Sequence, residues 1–193
     1  MIILCDTSSV VMLLRIVPDM FQDTRYGCIT IKEVRDELIG TQKFKSRYPW
    51  RTAYKDKIVP LTTSRLMTEE LSQYFSAIDM LIKAGTLNRK SGRLFDLSYT
   101  DKRILAGALA HGYKISSGDQ DLILFAKQEF RSTFKGDITP LEIINIWMKK
   151  DLISWDDVKH EYLSEWDRLE EPAQPKKAIG KFQKLTGKSY PGS

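Results

Sequence analysis

Histidine and cysteine are scarce in this chain, with two of each among its 193 residues. His111 and His160 lie far apart in the sequence. That spacing offers neither a histidine-rich zinc site nor a Ser-His-Asp triad, so any metal here is expected to be held by oxygen. Cys5 and Cys28 sit in apolar runs with no CxxC partner and read as buried thiols of a reducing cytosol. No segment approaches the ~20 consecutive apolar residues of a membrane span. The first strand begins so close to Met1 that the reading leaves no room for a signal peptide. No glycine-rich loop follows that strand, which argues against a dinucleotide-binding protein. What these absences leave is a soluble, cytoplasmic chain of one full-sized domain with a substantial core.

The charge that is present is unevenly spread. Residues 173–193 carry five lysines and no acid, which accounts for the whole formal net charge of +5. Within the remainder, residues 41–65 carry seven basic side chains against one acid, Asp56. Basic strips beside an acidic remainder suggest a polyanionic partner met at one place.

Strand signals at Ile2–Cys5, Gly27–Thr30 and Tyr113–Ser116, with a further strand region at Gly136–Thr139, alternate with helical patterns. The expected helices are Ser9–Ile16, Lys32–Ile39 stopped by Gly40, Thr68–Lys83, Ser98–His111 stopped by Gly112, Asp119–Phe130, Pro140–Lys150 and Trp155–Leu169. This alternation predicts an α/β fold with a central, mainly parallel sheet plus C-terminal helices. The expected domain is 1–170, of which 140–170 is a C-terminal helical part. Glu171–Pro175 reads as a linker, and 171–193 as a basic, flexible tail.

Ligands of such sheets bind at the carboxyl ends of the strands, and there the chain carries acids. Asp6 ends the apolar run IILC, and Asp119 and Asp121 follow the strand at 113–116. Each is explained singly as a helix cap. Asp101 stands three residues after Ser98, in the spacing of a capping box, yet shares a stripe with Ile104 and Ala108 that faces inward. Glu33 and Glu37 lie one turn apart on the helix after the second strand; Glu33 suits the helix N-terminus, whereas Glu37 has no such local role. Converging acids repel one another unless a cation lies between them. An all-oxygen set suits Mg²⁺ or Mn²⁺, which could activate water against a phosphodiester.

The same residues carry a resemblance. The opening strand ending in DTSS, the glutamate in EVRDEL, the aspartate in LSYTDKRILAGALA and the turn SGDQDLI resemble, in order and spacing, the PIN-domain ribonucleases and in particular their VapC-like toxin branch. The resemblance covers about residues 1–165. It implies a three-layer α/β/α sandwich and a metal-dependent endoribonuclease with Asp6, Glu37, Asp101 and Asp119 as catalytic metal ligands. Asp121 would be an auxiliary ligand, and Ser8 and Ser117 would support the carboxylates. It also implies RNA as substrate and, for a toxin, an antitoxin-like protein inhibitor. The alternative on the same fold is a non-catalytic module that binds RNA or a protein. A phosphatase using Asp6 as nucleophile is disfavoured because position 8 is serine rather than aspartate.

RNA contacts are expected from Lys43, Lys45, Arg47, Trp50 and Arg51, where basic side chains interleave with aromatic ones, and from Arg103 beside Asp101. Apolar surface on the helix at 68–83 could serve a homodimer or an inhibitor, with core packing as its other use.

Overall fold

The structure, a computed structural model, describes residues 1–62 and 65–192; of residues 65–67 only the backbone is described. Three short strands form one parallel sheet: β1 (Ile3–Cys5), β2 (Cys28–Ile29) and β3 (Lys114–Ser116), in the order β2-β1-β3. Ile3 stands opposite Cys28 on one side and Lys114 on the other, and Leu4 opposite Ile29 and Ile115. Because β1 is the middle strand and apolar throughout, it needs helices over both faces. Ile3, Leu4 and Cys5 are accordingly all buried.

Around the sheet lie α1 (Thr7–Ile16), α2 (Lys32–Gly40), α3 (Gln42–Arg47), α4 (Arg65–Lys83), α5 (Tyr99–His111), α6 (Gln120–Glu129), α7 (Pro140–Lys149), α8 (Asp157–Glu170) and α9 (Lys176–Thr186). Short 3₁₀ helices occupy Thr24–Tyr26 and Pro49–Lys57. Almost every residue of α1 is buried, which is why its sequence is apolar all round. Helix α8 packs on α1, α4 on α5, and α9 on α7. Gly112 ends α5 with φ 67°, a left-handed position in which its N–H reaches back to the last carbonyls of the helix. No helix among the described residues is long and apolar enough to cross a membrane.

Three expectations change. The region at Gly136–Thr139 is not a strand: it touches β3 through a single parallel bridge, Ile115 to Asp137, before Thr139 and Pro140 start α7. Gly40 does not stop α2 but is its last residue, and the cap is Thr41. The largest change is at the chain end, where residues 176–186, read as part of a tail, form helix α9 packed on α7. Ala178 and Phe182, four residues apart, form a buried stripe, while Lys176, Lys177, Lys181 and Lys184 are exposed. Asn145 Nδ2 donates to Ala178 O at 2.9 Å, and the Phe182 ring meets Trp155 edge-on at 5.0 Å. Tyr190 donates its hydroxyl to Asp167, and Lys188 pairs with Asp157. Of the basic stretch 41–65, residues 63 and 64 lie outside the described residues, as does Ser193 at the chain end.

Candidate functional site

Strand β1 runs directly into the carboxylate of Asp6, which caps α1 by accepting the Ser9 N–H at 2.7 Å. Ser8 Oγ donates to it at 3.1 Å, and Gly118 N–H, from the turn after β3, approaches its other oxygen at 3.3 Å. That turn comes so near that a Cβ on Gly118 would lie 3.3 Å from Ser8 Oγ, so a side chain there would crowd the contact. Asp119 caps α6 through one oxygen, Oδ1, which accepts the Asp121 N–H at 2.8 Å and that of Leu122 at 3.3 Å. Its own N–H donates to Ser117 Oγ at 3.0 Å.

Asp101 belongs to a true capping box, donating its N–H to Ser98 Oγ at 3.1 Å and accepting the Ser98 N–H on Oδ2 at 3.1 Å. Glu37, near the end of α2, accepts the Thr7 hydroxyl on Oε2 at 2.8 Å. Local capping and convergence are therefore compatible. Asp101 Oδ1, Asp119 Oδ2 and Glu37 Oε1 carry no hydrogen bond among the described residues.

Asp6, Glu37, Asp101 and Asp119 all line one cavity of about 570 Å³, together with Ser8 and Ser117. Their electrostatics record the convergence. Burial pushes the Asp6 carboxyl above the ordinary carboxylate range, against the hydrogen bonds it accepts. Burial also raises Asp101, and the nearby charges of Asp6 and Glu37 raise it further. Asp119 is raised by burial and then by Asp101. Like charges crowded into a poorly hydrated space disfavour ionisation in this way.

The sequence reading misses much of the wall. Asp137, Glu170 and Glu171 add three further carboxylates, and Trp166, Pro172 and Gln174 close the cavity from α8 and the segment after it. Asp137 is paired with Lys127 at 2.7 Å. Glu170 is held by the Tyr48 hydroxyl at 2.7 Å and by Arg47 at 3.2 Å. The single bridge from Ile115 to Asp137 places that acid beside β3, a link without a run of β-pattern residues to announce it.

Of the other expected site residues, Asp121 does not line the cavity; its N–H serves the Asp119 cap instead. Glu33 is turned to Arg103, whose Nε donates to it at 2.9 Å, so Arg103 is an ion-pair partner rather than an open phosphate contact. Arg51 is 3 % exposed and donates to the carbonyls of Leu38 at 2.8 Å, Ile39 at 3.2 Å and Tyr48 at 3.4 Å. It braces the end of α2, where helix carbonyls lack partners, and is out of reach of a ligand. Arg47 is committed to Glu170. Trp50 packs against Tyr48 and Tyr54 with Arg15 over its ring at 4.9 Å. Lys45 is exposed but off the cavity wall. Lys43 lines the cavity, is exposed, and is the one cationic side chain in that wall among the described residues.

Compared with protein-family models, with curated proteins and with solved structures, the chain matches none. The site must therefore be judged on its own chemistry. Among the described residues, no group of three or more His, Cys, Asp or Glu side chains stands close enough to enclose a metal ion. The donor set nonetheless fits a hard cation: every candidate ligand is oxygen, and three carboxylates each keep one oxygen free of protein hydrogen bonds. Mg²⁺ commonly keeps several of its waters and takes only one or two carboxylates, so it does not require a closed cage of protein ligands.

Proposed function

We propose that this protein is a PIN-like, Mg²⁺- or Mn²⁺-dependent endoribonuclease whose site is the acidic cavity at the carboxyl edge of the parallel sheet. One observation carries the reading: Asp6, Glu37, Asp101 and Asp119, set on four separate elements and up to 113 positions apart, wall the same cavity. Capping explains Asp6, Asp101 and Asp119 singly, but it does not explain Glu37 and gives no reason for the four to meet.

Asp101, Asp119 and Glu37 would hold the ion through their open oxygens, with Asp6 at the base of the site. The bound ion would supply a water activated for attack on phosphorus and would neutralise charge on the phosphate. The chain's own residues do the rest. The Thr7 hydroxyl fixes the rotamer of Glu37, and Ser8 with Gly118 N–H fixes Asp6. Ser117 Oγ holds the start of α6, and with it Asp119. Lys43 gives an incoming phosphate a favourable charge in an otherwise acidic wall. Lys176 and Lys177, exposed just beyond the wall residue Gln174, extend that attraction for a polyanion. Whether the enzyme is a toxin with an antitoxin-like inhibitor, and whether it works as a homodimer, are parts of the proposal that neighbouring genes and sedimentation would test.

The decisive experiment is cleavage of single-stranded RNA with Mg²⁺ or Mn²⁺ and with EDTA, alongside Asp6→Asn and Asp119→Asn. The expected result is metal-dependent cleavage that both substitutions abolish without loss of the folded circular dichroism spectrum. Unchanged cleavage in either variant refutes the site. A wild-type chain that neither cuts RNA nor binds Mn²⁺ in calorimetry refutes the enzyme and favours a binding module.

A further inference from the structure

Among the described residues, two polar atoms of the cavity lining have no partner. The Trp166 indole N–H is buried without an acceptor, in a residue only 3 % exposed, and Gln174 Oε1 is buried without a donor. Buried polar groups are nearly always satisfied, and each exception costs about 1–3 kcal/mol. Here a lone donor and a lone acceptor belong to the same wall, beside the apolar surfaces of Phe44 and Pro172. An indole can only donate, so its need is for an acceptor and cannot be met by a flip.

We infer that this wall is a nucleobase subsite: Trp166 N–H and the Gln174 amide read the edge of a base, and Phe44 and Pro172 cover its apolar surface. The inference rests on the ribonuclease reading for what brings a base to the cavity. The wall carries both kinds of group that a nucleotide needs: carboxylates that suit a metal-bound phosphate, and an indole, a phenyl ring and an amide that suit a flat ring with hydrogen-bonding edges. Its volume of about 570 Å³ is within the range of small-molecule sites. Every base carries a donor beside an acceptor on its pairing edge, complementary to this pair of groups. Water does not reach either atom, so the wall must give to admit the base. The part able to give is residues 171–175, which connect α8 to α9 with no regular structure of their own.

The test uses the full chain with Mg²⁺ and five probes: the four nucleoside 5′-monophosphates and ribose 5-phosphate, which keeps the phosphate and lacks the base. Calorimetry is expected to show at least one nucleotide binding about tenfold or more tighter than ribose 5-phosphate, the worth of a base edge whose hydrogen bonds relieve buried groups. Trp166→Phe and Gln174→Leu should each remove most of that margin and leave ribose 5-phosphate binding unchanged. Gln174 lies in the irregular segment, so its variant tests the idea even if Trp166→Phe disturbs the core. Equal binding of nucleotides and ribose 5-phosphate, a margin that survives both substitutions, or no nucleotide binding at millimolar concentration overturns the inference. A wild-type chain that keeps the margin but cuts no RNA defeats the ribonuclease reading and leaves the subsite standing.

Discussion

Arg51→Met separates a structural arginine from an RNA contact. The guanidinium is buried and donates at 2.8 and 3.2 Å to the carbonyls of Leu38 and Ile39, with a weaker contact of 3.4 Å to Tyr48 O. Charge-assisted hydrogen bonds contribute about 1.5–3 kcal/mol each. The two shorter ones sum to about 3–6 kcal/mol, before the side-chain entropy of up to ~2 kcal/mol that methionine partly recovers. Methionine fills the volume but leaves the carbonyls at the end of α2 without donors, so the expected net loss is about 3 kcal/mol. For a chain of this length that corresponds to a fall in melting temperature of about 6–12 °C. Urea denaturation followed by tryptophan fluorescence measures it, with Lys43→Met as control. That exposed residue should cost less than about 0.5 kcal/mol. A loss below about 1 kcal/mol for Arg51→Met, with RNA affinity falling instead, would refute the brace and restore Arg51 as a ligand-binding residue.

Other expectations follow from the same geometry. Lys43→Ala should weaken RNA binding and lower the slope of log affinity against log salt by about 0.7, measured by fluorescence anisotropy across a salt series. Thr7→Val removes the 2.8 Å hydrogen bond that sets Glu37 and should reduce cleavage about 10- to 100-fold at limiting Mn²⁺, with little change in melting temperature. Phe182→Ala should cost about 3–5 kcal/mol, because a fully buried ring packed against Trp155, His160 and Tyr190 is deleted; urea denaturation would show it. Asp101→Asn tests the crowded carboxylates by pH. Because folding raises the pKa of Asp101, its favourable contribution is fully present below the unfolded value near ~3.9 and is lost as pH rises through the folded one. In the metal-free protein the variant should therefore melt higher than wild type at neutral pH, and the gap should close as pH falls toward 4. A gap that widens on acidification would mean that Asp101 is stabilised in its charged form.

The features legible in the sequence are those that local chemistry determines. Apolar runs ending in Asp6 and Ser116 mark β1 and β3, and Ser98 with Asp101 marks the start of α5, because a strand or a cap is decided within a few residues. Asp6, Asp101 and Asp119 could be selected for the same reason, each standing at a recognisable element boundary, whereas Glu37 was singled out by the resemblance, and Asp137, Glu170 and Glu171 by nothing local. The basic residues could not be sorted in advance. Nothing adjacent to Arg51 says that it will reach back to the carbonyls of α2, or that Arg47 will find Glu170 at a separation of 123 residues. Helix α9 was hidden by composition. Its lysines suggest a solvated tail, although Ala178 and Phe182, four residues apart with Ile179 beside them, are the buried stripe of a packed helix. The wall formed by Trp166 and Gln174 needed the turn of chain after α8, and Glu171 takes φ 44° there without a glycine to signal it.

The cavity draws its wall from the first strand and from residue 174 alike, with the middle strand of the sheet waiting for a partner that arrives only at residue 114. The full lining therefore exists only once the chain has passed the turn that follows α8, 168 residues after Asp6.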